Sequence, residues 1–317
     1  MKKLAVLAAG LLSFTAAAPA AGVIRNDYAN TPFNTNLSAG LRAFYSRDFP
    51  TARQAFEKAL TVVPDNTLAI SFLNATAVQT PGDLDTLINA EEDALGKAPK
   101  NYMAHVRLGF SYMFASLAGR DRDVDAREEL NAAVAIDPKQ PAAHVGLGIM
   151  REGERSANRA KVEFLAALDT DKNDVLAREY LARIYQVDLK DPQRGLAYVI
   201  DIPNVVPDYA DIYYHVASLL DDLQQRDEAI KYATRGLETD IGHVGEAGQH
   251  GYTLLARIYL DEKKLDDARR VLKASIAQNS DTAYAQTLLR KIDDGDYGAK
   301  PGATASPVPT TPPKTKK

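Results

Sequence analysis

The chain has 317 residues, 45% of them hydrophobic, and its 38 basic and 42 acidic side chains give a net charge of −4. That is enough apolar material for a large buried core, and the acidic balance argues against nucleic acid or an anionic lipid surface as the main partner, since both need a basic face. There is no cysteine, which excludes disulfides, zinc–thiolate sites and a lipid-modified cysteine, so packing alone has to hold the fold.

Residues 1–20 read as a secretory signal peptide. Lys2 and Lys3 precede an uncharged apolar run, and Ala18-Pro19-Ala20 is a small-x-small exit with cleavage expected before Ala21. The run is about 13 residues long, short of the roughly 20 that span a bilayer. The expected location is therefore exported, periplasmic or secreted, and without the two lysines the formal charge falls to −6. Residues 21–32 form a short polar lead.

From residue 33 onward the chain repeats. Small residues recur within helical patterns at Gly40, Ala75, Gly109, Gly148, Ala182, Ala217 and Ala256, at gaps of 35, 34, 39, 34, 35 and 39. A period near 34 predicts stacked helical units. Twelve residues beyond the small position stands an alanine (Ala52, Ala160, Ala229, Ala268), and sixteen beyond it a bulky apolar residue (Phe56, Phe164, Leu272). Pro64 and Pro99 follow at twenty-four. In the third copy a five-residue insertion moves the same series to Ala126, Leu130, Ala133 and Pro138. Each unit is expected to be two antiparallel helices that approach closely at the small residues, with proline turning the chain into the next unit. A single helix pair cannot bury its apolar face, whereas a stack can.

The predicted units are 33–66, 67–101, 102–140, 141–174, 175–209, 210–243 and 249–281, followed by a capping helix over 282–292, all within a solenoid of residues 33–295. Tyr284, Leu288, Leu289 and Ile292 share one face of that last helix. The pattern is weakest in the second and fifth units, where Leu87 and Glu91, then Gly195 and Val199, replace the expected alanine and large aromatic. Residues 296–317, rich in Pro, Thr, Ala and Lys, carry no apolar periodicity and are expected to form a disordered tail, a tether or an inert end.

Candidate chemistry is sparse. His105 and His144 sit in the near-identical segments AHVRLG and AHVGLG, each four residues before the small position, where Tyr213 and Tyr252 stand in later units. The repeat assigns them to packing within a unit. Adjacent units lie about 10 Å apart, too far for both imidazoles to bind one metal. Asp121, Asp123 and Asp125 alternate as in a calcium loop, but Ala126 and Ala132 replace its glycine and bidentate glutamate; residues 169–174 fail likewise. GHVGEAGQHG (242–251) gathers His243, Glu246 and His250 between the sixth and seventh units and reads as an inter-unit loop, with a divalent metal site as the sharper alternative. No nucleophile elbow, His-Glu-x-x-His helix or phosphate loop occurs, and no cofactor is implied.

The repeated pattern, nearly complete in LSAGLRAFYSRDFPTARQAFEKALTVVPDN (37–66), resembles the tetratricopeptide repeat family over about residues 33–281. The resemblance implies an all-α, right-handed solenoid of about seven helix-turn-helix units with a capping helix. It also implies a non-catalytic scaffold whose first helices line a concave groove for a peptide or protein. The groove positions of that family lie three before and one, four and five after the small residue. They fall here on Leu37, Leu41, Phe44, Tyr45, Phe72, Phe110, Met113 and Phe114 in the first three units, an apolar and aromatic stretch. Later they fall on Glu179, Arg183, Tyr214, Asp221, Asp222 and Arg257, which are mostly polar. The basic clamp that captures a terminal carboxylate in chaperone-type members is missing. Stripes at helical spacing are equally what an inter-unit core produces, so these residues are either partner-binding or core. A hydrolase or metal protein using 242–251, or a plain structural spacer, are the alternative functions.

Overall fold

The structure is a computed structural model, and it describes residues 31–242, 248–278 and 282–295. The signal peptide (1–20), all but the last two residues of the polar lead, residues 243–247 of the glycine-rich loop and the tail from residue 296 lie outside the described residues. Among those described there are helices and no strand.

The helices run in antiparallel pairs: α1 (Pro32–Tyr45) with α2 (Phe49–Val62), α3 (Thr67–Gln79) with α4 (Asp83–Lys97), α5 (Tyr102–Leu117) with α6 (Asp123–Ile136), and α7 (Pro141–Gly153) with α8 (Ala157–Thr170). Next, α9 (Val175–Val187) pairs with α10 (Pro192–Val199), whose continuation α11 (Ile202–Val205) is offset at Pro203. Proline lacks the amide donor that an unbroken helix would use there. Then come α12 (Ala210–Asp222) with α13 (Arg226–Thr239), α14 (Gly248–Asp261) with α15 (Leu265–Ala277), and the final α16 (Thr282–Asp293). Several starts are capped by the residue types that favour that position: Asp48 accepts from the Thr51 amide at 3.2 Å, Asn66 from Ala69 at 2.9 Å and Asp191 from Arg194 at 3.0 Å.

The sixteen-residue spacing is a knob and a hole. A Cβ placed on Gly40 would lie 2.5 Å from the Phe56 ring, and one on Gly148 would lie 2.6 Å from the Phe164 ring. In the third pair, with its insertion, Gly109 would meet Leu130 at 2.7 Å. Glycine therefore stands opposite both buried rings, and in the third pair opposite Leu130. Where the small residue is alanine, no aromatic ring stands in the knob position, which holds Glu91, Val199, Ala233 and Leu272.

The turn inside every pair contains one residue in the left-handed region: Arg47, Gly82, Gly119, Arg155, Lys190, Gln224 and Lys263. Five stand seven positions beyond the small residue, and the third and fifth, in the longer turns, at ten and eight. Only two are glycine, so the other five carry the strain of about 1–2 kcal/mol that a side chain costs in that conformation.

The core is continuous from the first pair to the sixth, and a smaller cluster joins the sixth and seventh pairs to α16. The stack curves until its early and late parts meet. The Thr67 hydroxyl, at the start of α3, donates to Asp174 at the start of α9 (2.8 Å). Tyr45, at the end of α1, donates to Asp211 in α12 (3.1 Å), and Arg42 pairs with Asp208 at 2.8 Å. The Gly242 amide donates to the Tyr45 carbonyl at 2.6 Å, and the Arg47 Nε–H donates to the Gly242 carbonyl at 2.8 Å. The glycine-rich loop thus begins on the first pair of helices.

Candidate functional site

Curvature decides what the concave face can offer. Of the residues assigned to the groove, Leu37, Leu41, Tyr45, Phe110 and Tyr214 are core. Phe110 is fully buried, and a Cβ on Gly146 of α7 would lie 3.0 Å from its ring, so it packs between the third and fourth pairs. The Tyr214 ring fills the space that Gly236 and Gly251 leave open between the sixth and seventh. These five take the core side of the alternative left open for them; Phe44, Phe72 and Met113 are buried too but also edge the cavity described next. Each unit presents less of its first helix than an open solenoid would, because neighbouring and opposite units cover it.

The polar positions are engaged in ion pairs. Arg183 pairs with Glu152 of α7 and lies over the Tyr180 ring at 4.5 Å. Asp221 lies between Arg226 (3.6 Å) and Arg257 (3.7 Å), and burial raises its carboxyl pKa despite them. Arg257 is the more exposed partner. These three belong to the later half of the solenoid and not to the cavity described next.

Phe44, Phe72, Met113 and Phe114 do come together. With Ser71, Ala75 and Gln79 of α3 and Leu117 of α5, they form one side of a pocket of about 260 Å³. The other side is supplied by Ile149 of α7, by Leu176 and Tyr180 of α9, and by Tyr209 and Asp211 at the start of α12. The mouth is marked by Leu117, which is 73% exposed, and by Gln79; the interior contains the Ser71 hydroxyl, which is buried without a hydrogen-bond partner. Phe44 meets Phe72 edge-to-face at 5.0 Å, and Phe72 meets Tyr209 edge-to-face at 5.6 Å, so aromatic contacts join the two walls. Tyr209 and Asp211 lie outside the family's groove positions, and only the curvature brings them in. Gln79 stands four residues after Ala75 and was legible as a groove position.

A polar network lies behind the second wall. The Tyr209 hydroxyl donates to Glu179, and the Nδ1 of His215 lies 3.9 Å from the same carboxylate. His215 is enclosed, and burial, with Arg183 nearby, lowers its pKa to about 3. Tyr45, Tyr209 and Tyr214 hold their protons far above the usual phenol range, first through burial and then through the nearby carboxylates of Asp211, Glu179 and Asp240.

The two repeated histidines do more than pack. His105 lies 2.6 Å from Glu129 through Nδ1 and 3.1 Å from the Pro99 carbonyl through Nε2; His144 lies 2.8 Å from Glu163 and 3.0 Å from the Pro138 carbonyl. Arg178 donates to the Lys172 carbonyl (3.3 Å), and Tyr213 donates to that of Pro207 (3.0 Å). In four successive units, one side chain ties its helix to the carbonyl six residues earlier, in the turn between units. Ser71, at the same position in the second unit, is too short to do so. Among the described residues no three His, Asp or Glu side chains gather to hold a metal ion. Of the loop's polar residues, His243 and Glu246 lie outside the described residues, and nothing is described of the His250 side chain.

Residues 210–240, the α12–α13 pair, match the family model for the tetratricopeptide repeat. No curated protein matches the sequence. Among solved structures, PilF of Pseudomonas aeruginosa is 16% identical, with a TM-score of 0.52 over 64% of this chain and 88% of that one. A tetratricopeptide repeat protein of Parabacteroides merdae is 16% identical, with a TM-score of 0.46 over 82% and 98%. YrrB, described as a TPR protein with an unusual peptide-binding site, is 17% identical, with a TM-score of 0.49 over 63% and 98%. At such identities the likeness to PilF speaks for the fold alone.

Proposed function

We propose that this tetratricopeptide repeat protein is an exported, non-catalytic interaction scaffold that takes a peptide segment of a protein partner into the pocket at the centre of its concave face. The observation that carries this reading is the pocket. It is a mouth-open cavity lined mainly by apolar and aromatic side chains, and its 260 Å³ falls below the roughly 300–1,000 Å³ of small-molecule and cofactor sites. That volume suits one or two inserted side chains, with the rest of the partner lying across the rim. Export rests on the reading of residues 1–20.

The test is selection of peptides from a random display library on residues 21–317. Selected peptides are then measured on a variant carrying Gln79→Trp and Leu117→Trp. Both positions are exposed, so the variant should fold normally while its mouth is obstructed. Loss of at least tenfold in affinity supports the pocket. Equal binding to both proteins, confirmed as equally helical, removes the pocket from the function.

A further inference from the structure

The scaffold reading leaves residues 297–317 unused, and their composition is the reverse of the solenoid's. They carry four lysines and no acidic residue, whereas residues 31–295 carry 31 basic and 40 acidic side chains, a formal −9. Pro307-Val308-Pro309 opens an uncharged run that continues to Pro312 and Pro313, and Val308 is its one branched aliphatic residue. The pocket is apolar in the matching way. Phe44, Phe72, Phe114, Tyr180 and Tyr209 give it five aromatic rings, and no Lys, Arg or His is among its lining residues.

We propose that the segment around Pro307-Val308-Pro309 of the chain's own tail occupies the pocket, as an internal ligand that a partner peptide has to displace. This rests on the reading of the pocket as a peptide site and specifies what regulates it. Proline-rich segments dock in aromatic-lined grooves because proline fixes φ near −65°, so little backbone freedom is lost on binding. Pro307 and Pro309 also lack an amide N–H, so neither brings an unsatisfied donor into an apolar cavity. Val308 with one flanking proline matches a volume of about 260 Å³, room for one or two side chains. Lys300, Lys314, Lys316 and Lys317 flank the run and stay in solvent, attracted by the net negative charge of the solenoid. The lead, residues 21–30, has one arginine, one aspartate and no proline, and so lacks both the charge and the stiffness.

The tail also starts in the right place. Pairs are antiparallel, so the first helices of all units end on one edge of the stack. Gln79 at the end of α3 and Leu117 at the end of α5 mark the mouth on that edge, and α16, standing where an eighth unit would begin, ends there at Asp293. From α16 to α12 is two unit steps, and Tyr209 against Phe72 makes one more from the start of α12 to α3, about 30 Å at about 10 Å per step. Pro307 lies twelve residues beyond Gly295, which span about 37 Å at the roughly 3.1 Å per residue of an extended proline-rich chain. An internal ligand acting at about 1 mM, with an intrinsic dissociation constant near 0.1 mM, weakens outside peptides about tenfold.

Met113 of α5 lines the pocket and Met103 of the same helix does not, so the two make a reporter and its reference. With methyl-labelled methionine in residues 21–317, the parent is compared with a variant carrying Pro307→Ser, Val308→Ser and Pro309→Ser, all beyond α16. The Met113 signal is expected to differ between the two proteins while Met103 stays in place. A synthetic peptide of residues 303–315, added to the variant, should return Met113 saturably to the parent's position. Peptides selected from the display library should bind the variant at least about tenfold more tightly than the parent.

An unchanged Met113 signal in the variant overturns the proposal, as does a synthetic peptide that fails to move it. A parent signal that drifts toward the variant's on dilution gives the pocket to the tail of a second copy and overturns occupation within one chain. A shift caused by Ile24→Ser instead gives it to residues 21–30. The two readings fail separately. Display peptides blocked by the mouth variant, yet bound no more tightly by the tail variant, leave the peptide site standing and remove the tail. A Met113 response to the tail, with display peptides indifferent to the mouth variant, does the reverse.

Discussion

Replacing Gly148 by alanine tests the packing rule on which the architecture depends. Gly148 is buried in the middle of α7, and the new methyl would stand 2.6 Å from one Phe164 ring atom and 2.8 Å from two others. The ring has little room to withdraw. It is fully buried and stacked on Tyr180 at 5.2 Å, and Arg183 lies over that same Tyr180 ring. Overpacking of a tight core costs about 1–3 kcal/mol, and this site belongs at the upper end. Alanine regains about 1 kcal/mol of helix propensity over glycine. The expected net loss is about 2 kcal/mol, read from urea unfolding followed by circular dichroism, with amide exchange in α7 and α8 as the local check.

Gly153, in the last turn of the same helix, has nothing within 4 Å of a built Cβ, so Gly153→Ala should be neutral or stabilising by up to about 1 kcal/mol. Phe164→Leu should recover about 1–2 kcal/mol when combined with Gly148→Ala, because it recreates the Ala256 and Leu272 combination of the seventh unit. A Gly148→Ala protein as stable as the parent would refute the knob-and-hole account, and with it the physical meaning given to the sixteen-residue spacing.

Three further outcomes are expected. His215, with its folded pKa near 3 against an ordinary 6.5, contributes stability above pH 6.5 that is lost as pH falls; at pH 5 the loss is about 2 kcal/mol, and His215→Gln should flatten the denaturation profile between those values. Asp174, pushed up to about 7 mainly by burial, has the opposite sign. The folded chain holds its proton more tightly than the unfolded one, so stability falls as pH rises from about 4 to 7, and Asp174→Asn should gain up to about 4 kcal/mol at pH 8 while changing little at pH 4; a gain at pH 4 instead would contradict the assignment. Ser71→Ala removes a buried hydroxyl that has no partner and should raise the unfolding midpoint by an amount worth about 1 kcal/mol, where a loss of that size would show that the hydroxyl is satisfied in solution.

What could be read from the residues was whatever recurs. Gly40 with Phe56 and Gly148 with Phe164 repeat at a fixed separation because each pair meets within one unit, where local geometry is the same every time. The histidines were only half legible. The repeat placed His105 and His144 inside their units, but not their bonds to the Pro99 and Pro138 carbonyls, since a carbonyl leaves no mark on the residue pattern. The groove was legible least of all. Leu41 and Phe110 occupy positions that an open solenoid would expose, and they are buried because curvature accumulates from small rotations between units. No single unit's sequence records that sum.

The same distinction explains where the candidate site lies. Repetition builds two walls that are individually ordinary, and the cavity exists only because Thr67 and Asp174, Tyr45 and Asp211, and Phe72 and Tyr209 meet across the curve. Each of those contacts joins residues more than 100 positions apart; Thr67 and Asp174 stand at the same place in their units, eight residues before the small position, whereas the other two contacts join non-matching positions. Contacts across the curve, some between equivalent repeat positions and some not, are thus what convert a curved stack into a pocket. Asp211 is the clearest case: it tethers the first unit through Tyr45 and gives the pocket its only charge.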